Sequence, residues 1–273
     1  MDTLNHPAFQ AAVAPFFVAI AVAFILGKIR LLPQGIALPL AWLSTVWLTI
    51  GFSFSPLTST RKIVLIALIT LVIGVVLDIT RTQKKSVMWL TSFATMACAI
   101  WIIWPTLQRQ EGADYWSMLL LSSFYCLWIV YTSHFSAHKA KASSVAILAL
   151  GLGTGVSALL GATAMIGQLG SAFAAAAGAF ITLILLKSEV KTGFSFMLPA
   201  SSLIALLGVS SVVYASLPWY ALAPLLLIPA LTQAPMATAQ HGWKKILILA
   251  LHILPLSAVS IGITFYVSGA PPI

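Results

Sequence analysis

Residues 143–186 read SSVAILALGLGTGVSALLGATAMIGQLGSAFAAAAGAFITLILL, 44 positions without a charged side chain. As one α-helix at 1.5 Å per residue this stretch would be a rod of about 66 Å, roughly twice the hydrocarbon core of a bilayer. It therefore predicts two membrane helices with a fold-back between them, placed around Gly161 to Gly170. Small residues crowd both halves: Gly151, Gly153 and Gly155 in the first, Ala172, Ala174 to Ala177, Gly178 and Ala179 in the second. Small-xxx-small spacing lets helix backbones approach closely in lipid, so the pair is expected at the centre of a bundle.

Outward from this segment the chain keeps the same character. Of 273 residues 60% are hydrophobic and only 7% charged, with a mean hydropathy of +1.04; a soluble domain carries about 25% charged residues. Apolar runs fall at 8–26, 32–52, 63–80, 86–105, 115–132, 143–162, 168–187, 195–215, 219–236 and 245–268. The prediction is an all-α, polytopic transmembrane bundle of about ten helices, forming one integral membrane domain over 1–273. The first run lacks both the basic start and the small-residue cleavage site of a signal peptide, so it is read as a retained helix.

The net charge is +9, which in a soluble protein would point to nucleic acid. Here the basic residues occupy short loops between apolar runs, the pattern that orients membrane proteins, and nucleic acid is excluded as a partner. With ten crossings, eleven basic residues fall in the odd-numbered connections: Lys28, Arg30, Arg81, Lys84, Lys85, Lys139, Lys141, Lys187, Lys191, Lys244 and Lys245. Three fall in the even-numbered ones: Arg61, Lys62 and Arg109. That bias puts the odd connections in the cytoplasm and both termini outside, in a cell inner (plasma) membrane. Trp101, Trp104, Tyr115 and Trp116 flank one outer connection, as interfacial aromatics do.

Two halves of five helices, 1–140 and 141–273, would be inverted relative to one another because five is odd, an arrangement found in transporters. Short echoes fit such a repeat: Gly51-Phe-Ser-Phe-Ser-Pro56 against Gly193-Phe-Ser-Phe-Met-Leu-Pro199, and Leu65-Ile-Ala-Leu68 against Leu203-Ile-Ala-Leu206. In helix count and orientation alone the layout resembles ten-helix inverted-repeat carriers such as the auxin-efflux type, with no motif to match residue by residue.

Chemistry-bearing residues are sparse. No acid falls at mid-membrane, which disfavours a carboxylate relay and any two-carboxylate hydrolase. Asp78, three residues before Arg81, reads as its interfacial partner. His134 and His138 stand one helical turn apart in a basic setting and read as an interfacial collar. Cys98 and Cys126 lie in apolar runs as small hydrophobes. No metal or cofactor is expected. Pro224, Pro229 and Pro255 interrupt the last two helices and should free the carbonyls of Tyr220, Leu225 and Leu251. With Thr232, Gln233, Ser201, Ser202, Ser210 and Ser211 nearby, a solute site is expected between the last three helices, with His252 on its wall. Gln34 is the comparable polar group in the first half. The functional expectation is a permease or channel for a small neutral or weakly polar solute, not an enzyme. The alternative is a non-catalytic subunit or assembly factor of a larger membrane complex. Lipid is the certain environment; whether a protein partner or a second copy joins is not legible.

Overall fold

The computed structural model describes residues 6–29, 32–52, 54–82, 84–161, 163–186, 189–215, 217–234 and 243–268, and every regular element among them is helical. A π-helical turn at Phe9–Val13 leads into α1 (Ala14–Ile29), and a 3₁₀ turn at Gln34–Ile36 into α2 (Ala37–Thr49). There follow α3 (Ser59–Thr80), α4 (Lys85–Leu107), α5 (Gly112–His134), α6 (Ala140–Gly161), α7 (Ala164–Leu185) and α8 (Phe194–Ala215). The chain closes with α9 (Trp219–Leu231) and α10 (Trp243–Ser268). Arg30, Lys187 and Ser216 lie outside the described residues.

Eight of these helices are long and apolar enough to cross a bilayer. The other two, α2 with 13 residues and α9, are short, so among the described residues eight long helices and two short ones stand where about ten crossings were expected. Proline accounts for both. Pro33 holds an extended backbone before the turn into α2, and Pro224, which has no N–H to donate, sits in a 3₁₀ turn at Ala223–Leu226 that divides α9.

The fold-back in the uncharged segment comes directly after Gly161, where Thr163 caps α7 by accepting a hydrogen bond from the Ile166 amide at 3.3 Å. Connections α1–α2, α3–α4, α5–α6 and α7–α8 meet at one end of the bundle, where Gln34, Arg81, His138 and Lys191 share one cavity wall. At the opposite end Tyr214 donates to the Ile102 carbonyl and accepts from Ser59. Among the described residues the first eight helices thus alternate in direction.

Helices α6 and α7 do pair closely. A Cβ added at Gly155 would fall 2.5 Å from the Ser171 amide nitrogen, and one at Gly170 would fall 2.6 Å from the Gly155 Cα. The centre of the bundle, however, is α8. Every residue from Phe194 to Ser211 is buried, and α8 packs against α2, α3, α4, α5, α6 and α7. A helix apolar all round is a helix enclosed all round. Its serines fit because Ser201 and Ser211 donate to carbonyls four residues back, Met197 and Leu207. Trp42 fastens α2 to α7 by donating from Nε1 to the Leu169 carbonyl at 2.9 Å while stacking on Phe173.

Candidate functional site

At the basic end, where four connections converge, the bundle opens into a cavity of about 980 Å³. Leu26, Gly27, Leu32, Pro33 and Gln34 form one side, Asp78, Ile79 and Arg81 a second, and His138, Glu189, Lys191 and Thr192 the rest. The wall therefore comes from both halves of the chain. Gln34 joins two of these segments, its Oε1 accepting from the Lys191 amide at 2.8 Å. Thr192 joins a third by donating to the Ala137 carbonyl at 2.8 Å.

Asp78 anchors this end. Its Oδ1 accepts from the Phe194 amide at 2.7 Å, and its Oδ2 accepts from the Ser195 amide at 2.9 Å and the Ser195 hydroxyl at 2.5 Å. The carboxylate thus caps α8 from a different helix, at the end where the first N–H groups lack intrahelical acceptors and the dipole favours negative charge. This replaces the expected Asp78–Arg81 pair. Arg81 instead closes α3 in the left-handed region, φ 51°, with its amide bonded to the Asp78 carbonyl and the Thr82 amide to the Leu77 carbonyl, a Schellman motif. The approach is close enough that a Cβ on Gly193 would overlap the Asp78 carboxylate, and one on Gly74 would lie 2.6 Å from the Phe194 carbonyl oxygen.

Inward from the cavity runs a line of polar groups between α4, α5 and α8. His138 lies on the cavity wall, and Phe194 sits against both its ring and that of His134. His134 Nε2 is 2.9 Å from the Thr91 hydroxyl. One turn on, Thr95 and Ser202 share a hydrogen bond at 3.0 Å. Further along, the buried Ser122 hydroxyl has no hydrogen-bond partner, and the buried Tyr125 ring lies against Gly208 of α8.

The residues singled out from the sequence do not converge. Gln34 is in the cavity wall and Ser202 belongs to the polar line. Ser201 and Ser211 are spent on their own helix, and Ser210 is buried without a partner. Thr232 bonds Ser136 at 2.6 Å, and Gln233 donates to the Thr132 carbonyl at 3.0 Å, so both fasten the end of α9 to the end of α5. His252 is on the exposed face of α10, with Nδ1 2.7 Å from the Ile248 carbonyl. Among the described residues it walls no cleft between the last three helices, because α10 packs on α6 and α9 through Ser257 and Ser260. Side chains meet carbonyls one residue beyond two of those expected to be freed: Trp128 donates to Leu226 and Ser260 to Ala221.

The sequence reading missed the capping role of Asp78 and the hydroxyls of α4 and α5. A signal for the first was present: an acid in the last turn of a helix opposes that helix's own dipole and so implies a partner elsewhere. No protein-family model matches the chain, and no curated protein is similar to it.

Proposed function

We propose that this protein is a permease of the inner membrane for a small neutral or weakly polar solute, on which it performs no chemistry. The observation that carries the reading is the cavity of about 980 Å³, whose polar wall is assembled from both halves of the chain and which adjoins a line of hydroxyls and imidazoles along the central helix. Binding sites at the meeting of two halves are the rule in secondary transporters. On the charge bias the cavity opens to the cytoplasm and both termini lie outside.

The test is reconstitution of the purified chain into liposomes, with solute flux followed by stopped-flow light scattering over a panel of small neutral compounds. Swelling above that of protein-free liposomes for at least one compound supports the permease. No protein-dependent flux, together with a stoichiometric partner retained through purification in mild detergent, would replace it with the subunit reading.

A further inference from the structure

Three rings stand between the cavity and the polar groups inside the bundle. His138 lies on the cavity wall; the Phe194 ring centroid is 5.1 Å from that of His138 and 5.5 Å from that of His134. His134, one turn earlier on the same helix, is 3% exposed. The Thr91 hydroxyl lies 3.0 Å from each of the Val87 and Met88 carbonyls and 2.9 Å from His134 Nε2. With two carbonyls against one ring nitrogen competing for its single proton, we assign that proton to the carbonyls, so that Thr91 accepts from His134 and Nε2 carries the ring hydrogen. Nδ1 is then a bare acceptor, buried and without a partner. Buried acceptors in folded proteins are nearly always satisfied, and this one stands a single phenyl ring away from an open cavity.

We infer that His134 Nδ1 is the first internal contact for the solute, accepting a hydrogen bond from an O–H or N–H group that has passed Phe194. This rests on the permease reading and narrows it to small neutral molecules that carry hydrogen-bond donors, such as polyols and urea-like amides. Charge supports the neutrality. The described cavity wall sets Arg81 and Lys191 against Asp78 and Glu189, so its charged side chains balance and the mouth offers no net charge to draw in an ion of either sign. Past Phe194, the interiors of α4, α5 and α8 carry no Lys, Arg, Asp or Glu that could balance an ion. The groups that follow, Thr91, Thr95 and Ser202, are hydroxyls suited to passing a donor-bearing solute along.

The experiment compares proteoliposomes in urea, in glycerol and in trimethylamine N-oxide, a small neutral compound with an acceptor and no donor. The wild-type protein is expected to speed swelling in the first two and to leave the third at the protein-free rate. His134→Leu, which removes the acceptor, should lower the protein-dependent urea and glycerol rates about three- to tenfold, the scale of one net hydrogen bond. His134→Gln, which restores an acceptor, should recover most of the loss. Phe194→Ala, which removes the intervening ring, should raise the urea rate and serves where His134→Leu does not fold. Wild-type rates in folded His134→Leu would leave Nδ1 nothing but a buried water and overturn the inference, as would unchanged flux in Phe194→Ala or equal acceleration of trimethylamine N-oxide. Absence of any flux in the wild-type protein would instead remove the permease reading on which the inference stands.

Discussion

Asp78→Ala tests the anchoring of the central helix. The substitution deletes three hydrogen bonds at once: those to the Phe194 and Ser195 amides and to the Ser195 hydroxyl. Loss of a helix N-cap costs about 0.5–2 kcal/mol, and stranding the fully buried Ser195 hydroxyl adds about 1 kcal/mol. Asp78 itself is half-buried, so water recovers part of the amide term, and the expected loss is about 1–3 kcal/mol. At about 2–4 °C of midpoint per kcal/mol for chains of 150–250 residues, thermal unfolding in detergent should fall by about 2–12 °C. Ser195→Ala should cost only a fraction of that. Arg81→Ala should leave the midpoint nearly in place, since the guanidinium holds no ion pair with Asp78. A drop below 1 °C in Asp78→Ala, or an equal drop in Arg81→Ala, would refute the cap and reinstate a simple interfacial ion pair.

Three other outcomes follow from the packing and the charge pattern. Gly155→Leu forces a side chain into the Ser171 backbone across the α6–α7 contact; overpacking costs typically 1–3 kcal/mol and more against backbone, so the variant should show a lower unfolding midpoint or aggregate on size exclusion, whereas Gly262→Ala, with open space around its Cα, should not. His252→Leu should retain wild-type stability and flux, because its ring bonds only its own helix; loss of flux in a folded His252→Leu protein would return it to the transport path. Alkaline phosphatase fused after Ile273 should be active and fused at Lys85 inactive, and the reverse would invert the proposed orientation.

Sequence pattern disclosed the helices because each had to be long, apolar and free of charge, and the boundaries of α3, α8 and α10 were legible to within a few residues at most ends. The fold-back in 143–186 was a matter of length alone. The site was less legible, for a reason that Ser201 and His252 illustrate. A polar residue in a membrane helix declares only that it needs a partner, and both find it on the carbonyl four residues back, so their presence says nothing of a pathway. Asp78 and His134 matter through groups more than forty residues distant in the chain, Ser195 and Thr91 respectively, and such pairings cannot be read from local spacing. Gln34 was visible as a polar group in the second apolar run.

The enclosure of α8 also bears on the order in which this protein is made. The helices that surround it, α2 to α7, all precede it in the chain. When residues 194–215 leave the ribosome, the socket that receives them is already in the membrane, with the carboxylate that will hold their leading end waiting on α3. A helix lacking a lipid-facing side gains most by moving directly from the translocon into that socket, and later synthesis adds α9 and α10 to the outside of an assembled core. A chain released after Ala215 would therefore keep its central helix packed except where Leu222 of α9 reaches Gly208, whereas one released before Phe194 would leave six helices lining an unfilled groove.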